Sequence, residues 1–121
     1  MLGLRYFWRH VHAVGGRSPA SPAKNAYKRH KIERNYTKWI GRHKRSLICG
    51  HTHRFKYPRE GEQPYFNAGS CVYPTKLTAI EVSEGAIALV RWRIVADARG
   101  SLRVAREVLR GPDPITKFDT R

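Results

Sequence analysis

The stretch Leu47-Ile48-Cys49-Gly50-His51-Thr52-His53 constrains this chain more than any other. A short apolar run that ends at a glycine reads as a strand with its exit. Two histidines follow with one residue between them. If strand alternation continues through Thr52, His51 and His53 point the same way. Neutral imidazole is a ligand for Zn, Mn, Fe and Ni. Gly50 lets the backbone turn sharply, or lets a ligand come close. One local reading is a strand end that offers two imidazoles to one point. The other is a surface loop that holds two histidines.

A second motif follows. Tyr65-Phe66 leads into Asn67-Ala68-Gly69-Ser70. Taken in this order, each after an apolar run, Gly50-His51-Thr52-His53 and Asn67-Ala68-Gly69-Ser70 resemble the C-terminal signature of the calcineurin-like metallophosphoesterases. The resemblance implies an α/β fold, the C-terminal part of a four-layer α/β/β/α sandwich with helices followed by a mostly antiparallel sheet. It implies that His53 binds the first metal of a two-metal site and His51 the second. Gly50, Asn67, Gly69 and Ser70 shape the surroundings, Asn67 and Ser70 through side-chain to backbone hydrogen bonds in a turn. The loop from Arg54 to Pro64 flanks the substrate cleft in that family. Arg54 and Lys56 are therefore candidates to meet a phosphate, or are simply solvated. The implied cofactor is a divalent transition metal, Mn, Fe, Zn or Ni, with two ions in the intact family. The substrate would be a phosphorylated compound of a type the sequence leaves open.

The rest of that family's ligand set is not in the sequence. D-x-H, G-D-x-x-D and G-N-H-D/E are all absent, and Asp97, Asp113 and Asp119 all follow the histidine motif. Two imidazoles do not hold two ions at ~3.5–4 Å without a carboxylate between them. The expectation is a C-terminal fragment of a metal-dependent phosphoesterase. Alone it would bind a single ion weakly and hydrolyse nothing, and no residue is assigned a catalytic role. A missing N-terminal half or a complementing chain would have to finish the site.

Charge supplies the competing reading. The formal net charge is +15 and the pI about 10.6. Such a field attracts nucleic acid, phosphorylated substrates or acidic surfaces. A basic nucleic-acid-binding or non-catalytic interaction protein built on the same fold is the alternative. A chain of 121 residues suits one domain, placed at residues 1–110. Cys49 and Cys71 make no disulfide framework and suit a reducing compartment. Cys49, His51, His53 and Cys71 have the composition of a zinc site, but ligands at i, i+2 and i+4 on one strand reach too far to share one tetrahedral ion. No apolar run approaches the ~20 residues of a membrane span. Arg5, Arg9, His10 and His12 interrupt what would be a signal peptide's apolar region, so a cytoplasmic location is expected.

The elements follow in order. Leu4, Phe7, Trp8 and Val11 have helical spacing and predict a helix over residues 1–14, ended by Gly15-Gly16. His10 and His12 cannot share a face of that helix. Ser21 as cap and Pro22 as first residue open a second helix over 22–45. Its apolar stripe is Ile32, Tyr36, Trp39, Ile40 and His43. Its other face is basic, with Glu33 the single acid, and is read either as a phosphate-tracking surface or as a solvated one. Residues 46–109 hold the strands: the short run before the histidines, Tyr65–Gly69, Thr78–Val82, Ala86–Val95 and a last one from Leu102. Turns at Ser83-Glu84-Gly85 and Asp97–Gly100 make the last three an antiparallel meander. The tail 111–121, with Pro112 and Pro114, is expected to be disordered.

Overall fold

The computed structural model describes residues 26–50 and 52–119. The expected helix over 1–14, the Ser21-Pro22 helix start and His51 lie outside the described residues. Among the described residues the fold is mixed α/β: one helix, a two-stranded parallel pair and a three-stranded antiparallel sheet. No described helix is long and apolar enough to cross a membrane.

Helix α1 spans Ala26–His43. Ile40 is its buried centre, at 0% exposure, and Tyr36 packs against Tyr65 with ring centroids 5.6 Å apart. The apolar stripe is narrower than expected. Trp39 is 40% exposed and stacks on exposed His43, centroids 4.5 Å apart. Ile40 sits at the centre of the stripe, and Trp39, about 100° round the helix from it, falls at the stripe's edge. The basic side chains Lys31, Arg34, Lys38 and Arg42 are exposed. Lys44 ends the helix in the left-handed region, φ 51°, and its N–H reaches the Ile40 carbonyl at 2.8 Å. This is the usual αL close of a helix, here without glycine.

Strand β1, Leu47–Cys49, pairs in parallel with β2, Tyr65–Asn67. All three β2 residues are buried, as suits a strand covered on both faces. Ile48 is 51% exposed, so β1 is the open member of the pair.

The meander forms as expected, with longer strands. β3 is Lys76–Ser83, β4 is Ala86–Ala96 and β5 is Leu102–Pro114, in the order β3-β4-β5. Ile87, Ala88, Leu89 and Val90 are consecutive and all buried, so both faces of β4 are covered here. Toward its other end the sheet opens. Leu77, Ile94, Leu102, Val104 and Val108 lie on one face by register and are exposed. On that face Glu81 accepts from Trp92 Nε1 at 3.0 Å and pairs with Arg106 at 2.6 Å.

The tail is a correction. Residues 111–119 are ordered: β5 continues to Pro114, and a 3-10 helix spans Ile115–Phe118. β5 is an edge strand, which tolerates Pro112 and Pro114. Phe118 supplies the anchor. It meets Phe66 and Tyr57 edge-on, at 5.0 and 5.7 Å between centroids. Tyr57 in turn donates to Asp113 Oδ2 at 2.8 Å, and Ser46 Oγ donates to the Phe118 carbonyl at 3.0 Å. These contacts of half-buried Phe118, one of them with buried Phe66, outweigh a local composition of proline and charge.

Candidate functional site

β1 stops at Cys49, before the histidines. Thr52 N–H turns back to the Gly50 carbonyl at 3.0 Å, and Thr52 is 3% exposed. His53 then takes a left-handed φ of 55°. The expected alternation through Thr52 is therefore not what the backbone does. Thr52 and His53 belong to a turn beyond the strand end, not to a strand extension.

Asn67 holds that turn. It is fully buried at the end of β2, beside Cys49 in the parallel register. Its Nδ2 lies 3.2 Å from the Gly50 carbonyl, 3.0 Å from Thr52 Oγ1 and 2.9 Å from Tyr65 OH. Two amide hydrogens are shared among three acceptors. Its Oδ1 accepts the Gly69 N–H at 2.9 Å, which settles which end of the amide is which. Burial pushes the Tyr65 hydroxyl up, while the Asn67 hydrogen bond works the other way. Asn67 thus ties the first motif to the second. The expected side-chain to backbone bonds are present, and the bond to Thr52 adds a side-chain partner.

The two motif glycines differ. Gly69 has φ 83°, and a Cβ there would run into Thr78 Oγ1 and meet Phe55 Cβ at 3.0 Å. Gly50 has open space beside it and no left-handed φ. Ser70 accepts the Val72 N–H on its Oγ at 3.4 Å, and its own N–H donates to Thr78 Oγ1 at 3.1 Å.

His53 carries two costs. A non-glycine residue in the left-handed region costs about 1–3 kcal/mol. Its Nδ1 is buried and has no hydrogen-bond partner among the described residues, a further ~1–3 kcal/mol. Both fall on the same side chain.

Arg54 and Lys56 do not share His53's pocket. Alternate residues of an extended segment face opposite ways. His53 and Phe55 line a pocket of about 230 Å³ with Ser70, Tyr73, Lys76 and Arg91. Arg54 and Lys56 line another, of about 390 Å³, against His30, Glu33, Arg34 and Thr37 of α1. Lys56 is further committed. Its ammonium donates to Glu62 at 2.7 Å, and its backbone pairs both ways with Asn67, at 3.0 and 2.9 Å. That hydrogen bond from Lys56 holds Glu62 below the usual carboxylate range. Sequence reasoning missed Lys76 and Arg91. Their positions on β3 and β4 are opposed through Thr78↔Arg91 and Lys76↔Arg93, a register visible only once the strands pair.

Cys49 is half-buried, which pushes its thiol up, and Cys71 is exposed; both are free. Among the described residues no three His, Cys, Asp or Glu side chains come together as a metal-holding group. No family model, no curated protein and no solved structure matches the chain.

Proposed function

We propose that this chain is the C-terminal portion of a metal-dependent phosphoesterase of the calcineurin-like kind, which contributes His51 and His53 as imidazole ligands and is not by itself a hydrolase. The observation that carries the reading is the Asn67 hub. A buried amide joins the end of β1 to the residues after β2, so both motifs named by the resemblance meet at one turn. The exposed apolar face of the β3-β4-β5 sheet supports a larger layered domain, the four-layer sandwich, in which another layer lies over it.

The donor set decides how far the chemistry goes. A buried Nδ1 without a partner fits an imidazole ligand. The carboxylates do not fit. The nine acids of the chain all lie among the described residues, and none lines the pocket of His53. Bound metal would supply Lewis-acid polarisation of a phosphate. This chain's own part is to orient the imidazoles: Asn67 fixes the turn through Thr52 and the Gly50 carbonyl. No hydrolytic step follows from these residues alone.

The test is manganese calorimetry with a chromogenic phosphodiester in the same sample, against a His51→Ala, His53→Ala double variant. Weak single-ion binding that the double variant loses, without turnover, is expected. Equal binding by the double variant would remove the ligand assignment. Turnover that it lacks would show that the chain completes its own site.

A second reading has an observation of its own. The exposed basic face of α1 runs into the cleft that holds Arg54 and Lys56. Nucleic acid on that face would bind with a steep log–log dependence on salt, about −0.9 per phosphate neutralised on duplex DNA. A flat dependence would discard it.

A further inference from the structure

The pocket beside His53 has unbalanced chemistry. Its two cations are Lys76 and Arg91. Among the described residues Lys76 pairs with no carboxylate; its ammonium sits 5.4 Å from the Tyr73 ring centroid. Arg91 meets Glu107 at 3.5 Å, a long contact between partly exposed side chains, which neutralises it weakly.

The hydroxyls add donors. Ser70 Oγ accepts from Val72 N–H, and Thr78 Oγ1 accepts from Ser70 N–H. Each then keeps its own proton, and neither donates it to a described residue. Two cations and two free hydroxyl protons form a set of donors without an acceptor. A phosphate is the reverse, acceptors without a donor when fully ionised. His53 forms the wall beside these donors, so a ligand held by them lies next to its ring. At about 230 Å³ the pocket is below the ~300 Å³ where drug-sized sites begin, so the ligand is small. Tyr73 and Phe55 offer it apolar aromatic surface.

We propose that this pocket binds a small organic phosphate with a flat apolar substituent, the phosphate on Lys76 and Arg91 with the Ser70 and Thr78 hydroxyls, the substituent against Tyr73 and Phe55. The proposal does not need the metal reading. None of its phosphate contacts is a metal ligand, and the site works with the metal chelated.

The experiment is calorimetry of the full chain with inorganic phosphate and with phenyl phosphate, in chelator and moderate salt. At a net charge of +15 any anion binds loosely everywhere, so the control must match in charge. Lys76→Glu and Arg99→Glu each change the net charge by the same amount, and Arg99 is exposed in the turn after β4, away from this pocket. Lys76→Glu should weaken phenyl phosphate at least about tenfold, the loss expected of one charge-assisted bond, with Arg99→Glu changing it under about threefold. Phenyl phosphate should bind several-fold tighter than inorganic phosphate, and the His53 ring signals should shift on saturation in NMR. Arg91→Ala, which creates no new charge, repeats the test if Lys76→Glu fails to fold. Equal weakening by Lys76→Glu and Arg99→Glu, or no saturable binding, would overturn the pocket. Equal affinity for the two probes would overturn the aromatic substituent. Manganese binding unaffected by Lys76→Glu, with phosphate lost, would separate this site from the metal ligands.

Discussion

Among the described residues near the histidines Asn67 makes the most side-chain hydrogen bonds, and it is fully buried. Replacing it strands buried partners on both motifs. Asn67→Ala should cost about 2–3 kcal/mol, read as a lower midpoint in urea with an unchanged slope. A loss under half a kcal/mol would mean the hub relaxes freely. The motif glycines should part company. Gly69→Ala forces a Cβ into Thr78 from a left-handed backbone and should destabilise by roughly 1–3 kcal/mol. Gly50→Ala meets open space and should stay within about 0.5 kcal/mol. If the two variants melt together, the packing around Gly69 is not what the geometry says. The sequence marks both glycines alike, as motif positions. Only the neighbours separate them, and neighbours 9 residues away in the chain, Gly69 and Thr78, are set by how β3 returns.

The three-stranded sheet has one charged clamp across its strands, Glu81 with Arg106, and another at the end of β5, Asp113 with Lys117. Arg106 and, less, Trp92 hold Glu81 below the ordinary carboxylate range; Lys117 and then Tyr57 do the same for Asp113. A lowered folded pKa means the unfolded chain takes up protons first as pH falls. The stabilisation is therefore whole above the unfolded carboxylate values near ~4 and is lost as pH drops through the folded ones. The groups are partly exposed and their partners more so, so solvent screening keeps the effect modest. Glu81→Gln should be less stable than the parent at pH 7, and the two should converge in acid. Calorimetric melts at several pH values would check it. A difference that persists in acid would assign Glu81's role to packing. At this scale much was legible. Helix, meander and both turns follow from period and turn chemistry, since 3.6-residue and 2-residue patterns are local. The tail was not, because Phe118 finds Phe66 across half the chain and nothing in Pro112–Pro114 announces it.

At the scale of the molecule, the described residues present a basic surface and an exposed apolar sheet face. Leu102 is 73% exposed and Val104 66%. Both lie on β5, which among the described residues is an edge strand with its outer hydrogen-bonding side open. Apolar face and free edge together favour association, and like charge opposes it. Leu102→Lys with Val104→Lys should keep the melting temperature within a few degrees and reduce self-association at high salt, seen by sedimentation velocity. A large fall in melting temperature would mean that the face is packed in solution.

The sequence by itself determined the local features: a basic amphipathic helix, a short strand before G-H-T-H, a meander with glycine turns, and a charge of +15. These depend on residues within a turn or two of each other. Tertiary structure alone decided which residues share a cavity. It turned Arg54 and Lys56 toward α1 and brought Lys76 and Arg91 to His53, because strand alternation and cross-strand register divide neighbours in the chain and join distant ones.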